Sequence, residues 1–151
     1  MVRPALLAVF LAVPLAPADA QRPHAWQVHG LAAVADATFV GGGVGGAVRI
    51  ARRMELAATL TAGAIDEQVA GRGEVLAVFL LNPFQRRGVA LYGGGGVAVT
   101  GTEDALDERM VVLLGMRRAG AARAGWFLEA GAGGGVRLAA GVRLQYGGAA
   151  P

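Results

Sequence analysis

From Val136 to Tyr146 the chain changes character at every residue. Val136, Leu138, Ala140, Val142, Leu144 and Tyr146 fall on one face, and Arg137, Ala139, Gly141, Arg143 and Gln145 on the other. A period of two held over eleven residues belongs to a β-strand whose two faces meet unlike surroundings. Residues 54–65 repeat the pattern, with Met54, Leu56, Ala58 and Leu60 opposite Glu55, Ala57, Thr59 and Thr61. Residues 26–34 set Trp26, Val28, Ala32 and Val34 against Gln27 and His29. In residues 40–50, 89–99 and 126–132 the alternation is apolar against small, which suits a narrow interior. Residues 74–81 and 109–117 are apolar on both faces and are assigned as strands from length and β-branched content. Eight strands with short connections predict an all-β fold, an eight-stranded antiparallel up-and-down β-barrel.

Composition closes the other routes. Gly supplies 25 of the 151 residues and sits in clusters inside the apolar segments, where each would cost a helix about 1 kcal/mol. Beyond residue 20, the longest uncharged run is residues 88–102, shorter than the roughly 18 apolar residues a spanning helix needs. With 54% hydrophobic and only 17% charged residues, the chain is expected to face lipid. The formal charge of +3 rests on scattered Arg, with no basic run interleaved with aromatics, so nucleic acid is not an expected partner.

Residues 1–20 carry Arg3, an apolar stretch from Ala5 to Leu15 interrupted by Pro14, and the small-residue pattern Ala18-Asp19-Ala20. This is the layout of a secretory signal peptide cut before Gln21, leaving residues 21–151 as one barrel domain. The chain contains no Cys, so a lipoprotein anchor is not expected.

Charge is sorted by connection. Those after the second, fourth and sixth strands contain Arg52 and Arg53, Arg86 and Arg87, and Arg117, Arg118 and Arg123, with no carboxylate. Those after the first, third and fifth contain Asp36, then Asp66 and Glu67 with Arg72, then Glu103, Asp104, Asp107 and Glu108. Alternate connections of a meander lie at opposite ends, which predicts one basic rim and one acidic rim. The charges left within strands, Arg49, Glu55, Arg109, Glu129, Arg137 and Arg143, are expected to line the lumen and bridge one another, because buried ions need partners.

Candidate chemistry is scarce. Without Ser, Cys or Lys, the usual nucleophiles and Schiff-base formers are missing, and no catalytic residue is assigned. Glu55, Glu74 and Glu129 are read as ion-pair partners rather than an acid–base pair. His24 and His29 lack a third ligand at recognisable spacing, so no metal site is expected. Gly41, Gly43 and Gly46 satisfy G-x-G-x-x-G, yet Val48 and Ile50 continue a strand where a nucleotide loop would start a helix. No cofactor is expected.

The signal peptide, the eight alternating segments and the final Gly141-Val-Arg-Leu144-Gln-Tyr146 together resemble the small eight-stranded outer-membrane β-barrels of the OmpA transmembrane-domain and OmpX type. Gly141, Leu144 and Tyr146 resemble the C-terminal assembly signal of that family, although Gly147 to Pro151 follow the aromatic here. The resemblance implies a bacterial outer-membrane location, outer-membrane lipid as the surrounding partner, and the barrel-assembly machinery as the partner during insertion. It also implies a monomeric, non-enzymatic protein with an envelope-structural, adhesive or narrow-pore role. The alternative is a periplasmic soluble barrel binding an apolar ligand as lipocalins do, which would need the apolar face turned inward.

Overall fold

Residues 24–84, 87–119 and 123–146 are described by the computed structural model of the chain. The expected signal peptide, Arg86 and the Gly147 to Pro151 tail lie outside them. The alternating segments become β1 (His24–Val34), β2 (Thr38–Ala51), β3 (Met54–Ile65), β4 (Gln68–Leu80), β5 (Val89–Gly101), β6 (Leu106–Arg118), β7 (Ala124–Ala132) and β8 (Val136–Tyr146). Each pairs antiparallel with the next, and β1 pairs with β8 to close the barrel. Closure satisfies the backbone of both terminal strands, leaving no edge to template aggregation. Trp26 lies opposite Leu144 on one side and Gly46 on the other, so the first strand locks the last into register.

Several boundaries shift by one to three residues from the sequence expectation, and two differences change which residues reach the lumen. β4 begins at Gln68, six residues before the expected start, because Ile65 pairs directly with Gln68 across a two-residue turn. Asp66 and Glu67 both adopt positive φ, 46° and 73°, the conformation of a twist-matched hairpin turn usually signalled by Asn-Gly or Asp-Gly. Here the signal is hidden in two carboxylates. The second difference is at the opposite end of β6, which runs to Arg118. Arg72 and Arg117 therefore belong to strands, not to the rims, and both are buried in the lumen.

Strands of 9 to 14 residues, rising about 3.3 Å per residue at a tilt near 40°, give a wall roughly 25–30 Å tall. That matches the apolar band of a bilayer-spanning barrel. The outer face is aliphatic at mid-height, exposing Val28, Val44, Leu60, Val97, Val112 and Leu138 among others, and its charged positions in β6, Glu108 and Arg118, stand near the two ends of that strand. Inside, the small core is the lumen itself. Leu76, Val78, Leu80, Val111 and Leu113 fill one side of it, while Leu31, Phe39, Ala70 and Ala139 form a second cluster towards the acidic end.

The expected G-x-G-x-x-G stretch lies wholly within β2. Gly115 shows what the interior glycines do: it faces Tyr92 across the β5–β6 pair, and a Cβ there would occupy the space of the tyrosine ring.

Candidate functional site

The lumen brings eight ionised side chains from six strands into one network. At its basic end Glu55 of β3 is the hub. Arg117 of β6 donates Nη1 to Glu55 Oε2 at 2.8 Å and Nη2 to Oε1 at 2.9 Å, a two-pronged pairing across the barrel. Arg143 of β8 donates to Oε2 at 2.7 Å and Arg49 of β2 to Oε1 at 3.1 Å. Planar guanidinium forks suit such convergent recognition of one carboxylate, which a Lys could not reproduce.

Towards the acidic end a second hub forms on Glu74 of β4. Arg137 of β8 holds both of its oxygens, with Nε to Oε1 at 3.0 Å and Nη2 to Oε2 at 2.7 Å. Arg72 adds Nε to Oε1 at 2.9 Å and donates Nη1 to Thr100 Oγ1 at 3.0 Å. Glu129 of β7 joins the two hubs: it accepts from Arg137 Nη1 at 2.8 Å and from the Tyr92 hydroxyl at 2.9 Å. The Arg117 guanidinium lies 5.5 Å from the centroid of the Tyr92 ring, which completes the path back to Glu55. Beside this chain, His29 Nε2 and Thr61 Oγ1 are 2.9 Å apart and both side chains are buried.

Of the six charges expected in the lumen, Glu55, Arg143 and Arg49 meet at the first hub, and Arg137 and Glu129 meet at the second. Arg109 is apart from both. It sits at the acidic rim, where it pairs with Asp107 and donates Nη1 to the Gly134 carbonyl at 3.0 Å. Sequence reading missed Arg72 and Arg117 as lumen residues, and it did not foresee the tie from Tyr92 to Glu129. Parity held the missing signal: Arg117 is eight residues from Arg109, and Arg72 two from Glu74, so each pair must share a face if the strand continues. Of the proposed assembly signal, Gly141 faces inward beside the His29 backbone, and Leu144 and Tyr146 point outward.

Open space is found at both ends. A cavity of about 290 Å³ opens at the acidic end, floored by Arg72, Arg137 and Thr100 and walled by Phe39, Ile65 and Val136. At the basic end the space between Arg117, Arg143 and Trp126 is about 10 Å³, room for roughly one water. The two hubs lie between them. This arrangement can hold the wall in shape, and it blocks a wide path. Within the hubs Glu55, Glu74 and Glu129 are each held by at least one Arg, so none of these three carboxylates is free to move a proton.

No protein-family model and no curated protein matches the sequence. Solved structures that share the fold include the following two. One is the N-terminal β-barrel domain of Pseudomonas aeruginosa OprF, with 14% identity and a TM-score of 0.59 over 81% of this chain and 97% of that one. The other is Neisserial surface protein A, with 14% identity and a TM-score of 0.60 over 83% of this chain and 97% of that one. At this identity the likeness is one of fold: a closed eight-stranded antiparallel barrel.

Proposed function

We propose that the chain is a small bacterial outer-membrane barrel that spans the bilayer and serves the envelope through its wall and rims rather than through catalysis. One observation carries this reading. The wall is turned inside out relative to a soluble protein, with apolar side chains facing outward between its two ends and paired ions facing inward. In water such an exterior would be an apolar patch far larger than a soluble monomer sustains. The same polarity counts against a lipocalin-like cup, whose interior would have to be apolar.

Among the three roles the resemblance implies, the rims favour a structural one. Connections at the acidic end span residues 35–37, 66–67, 102–105 and 133–135, too short to build an adhesive loop. The two hubs leave the lumen too occluded for a porin. With both termini at the basic end, that end faces the periplasm and the acidic turns face outward. Residues 1–20 supply the export signal, and Gly141, Leu144 and Tyr146 the contact with the assembly machinery.

Fractionation of cells tests the reading. The mature chain is expected in the outer membrane, and unheated samples should migrate differently from boiled ones on a denaturing gel. Recovery in the soluble periplasmic fraction would overturn it.

A further inference from the structure

Arginines at the two ends of the wall are used differently. Those in the lumen all engage carboxylates, whereas Arg52, Arg53, Arg87, Arg118 and Arg123 at the basic end are exposed and form no ion pair among the described residues. The connections that carry them contain no Asp or Glu.

The outward aromatics are sorted the same way. Trp26, Phe79, Phe84, Trp126 and Tyr146 are exposed, and every one lies near the basic end of its strand or in the adjoining connection. Near the acidic end the outward large side chains are aliphatic: Val34, Val40, Val69, Leu106, Met110 and Val136. Inward-facing Phe39, Tyr92 and Phe127 take no part in either girdle.

The two sets also interleave. The Leu80 amide donates to the Arg53 carbonyl at 2.8 Å, which seats Arg53 beside Phe79. The Gln145 amide donates to the Arg123 carbonyl at 2.8 Å, which seats Arg123 beside Tyr146, and Arg118 flanks Trp126 in the same corner. Aromatic rings settle at the headgroup level of a bilayer. Guanidinium groups held at that depth meet phosphate oxygens, which they bind with paired hydrogen bonds.

We infer that the basic end is a ring of subsites for acidic phospholipid headgroups, so that the barrel gathers anionic lipid around one rim and not the other. This rests on the membrane-spanning reading above. It goes further in giving the two leaflets different lipid neighbours.

The chain contains two Trp residues, Trp26 and Trp126, and both stand in this ring, so tryptophan fluorescence reports on its lipid neighbours alone. The full barrel is folded into vesicles of equal parts phosphatidylcholine and phosphatidylglycerol, with one lipid or the other brominated to quench fluorescence. Brominated phosphatidylglycerol is expected to associate on the order of five-fold more strongly, the equivalent of about 1 kcal/mol per well-placed Arg. The preference should vanish in a variant carrying Arg52→Gln, Arg53→Gln, Arg118→Gln and Arg123→Gln, and persist when Asp36 and Asp66 are changed to Asn. Should the quadruple variant not fold, the native chain in about 1 M salt, where screening acts within about 3 Å, must lose most of the preference. Equal quenching by the two lipids, or a preference that survives both treatments, overturns the inference while leaving a membrane barrel standing. Absence of quenching by either lipid means the chain is not in the bilayer, and both readings fall.

Discussion

One sheet presents two faces governed by different rules. On the inner face the carboxylates of the hubs have named partners: Glu74 is held by Arg137 and Arg72, and Glu55 by Arg117, Arg143 and Arg49. Outward, in the proposed membrane setting, Val112, Leu60 or Val44 need only be apolar, because lipid tails conform to whatever shape they meet. Directional bonds make the inner face intolerant of substitution by identity, while solvent makes the outer face intolerant by class. The stability of the wall should therefore answer to individual atoms on one side and to polarity alone on the other.

Variants can break that contrast. The largest effect is expected for Glu74→Ala, which leaves Arg72 without a carboxylate and Arg137 with Glu129 alone, and should cost about 3–5 kcal/mol in urea unfolding of the folded barrel in lipid vesicles. Replacing Glu74, Arg72 and Arg137 together with apolar residues of similar volume should recover much of that loss. Next comes Val112→Arg, near the middle of β6 on the outer face, at about 2–4 kcal/mol. Gly115→Val, which forces a side chain into the place of the Tyr92 ring, should cost about 1–3 kcal/mol in the same assay. Val112→Leu keeps the class and should change stability by less than about 0.5 kcal/mol. If Val112→Leu cost as much as Glu74→Ala, the outer face would be packed against protein rather than lipid.

How far each strand could be read from sequence follows from the same contrast. β8 was legible because Arg137 and Arg143 alternate with Leu138, Val142 and Leu144, so polarity changes at every step. β6 was poorly legible because Val111 and Leu113 face the lumen while Val112 and Leu114 face outward, and two apolar faces leave no alternation to see. β4 was truncated for a different reason: Asp66 and Glu67 take backbone conformations that a sequence reader looks for in Gly or Asn. That error displaced Arg72 from the lumen to a rim. The hubs themselves are half visible in the sequence, since Glu55 lies in a strand with clear alternation, but pairing across the barrel depends on which strands face each other after closure. Contacts between residues 62 and 63 positions apart, as in Arg117 to Glu55 and Arg137 to Glu74, follow from topology and not from any local pattern.

The brevity of the acidic-end turns has a consequence of its own. A ring whose tallest projection is a four-residue span, residues 102–105, gives a protease, an antibody or a phage fibre almost nothing to grasp. It is also a ready mount for foreign loops. Strand register here is fixed by pairing along the whole length of the wall, so a displayed peptide spliced in at residues 103–104 would ride on a platform that does not depend on the turn it replaces.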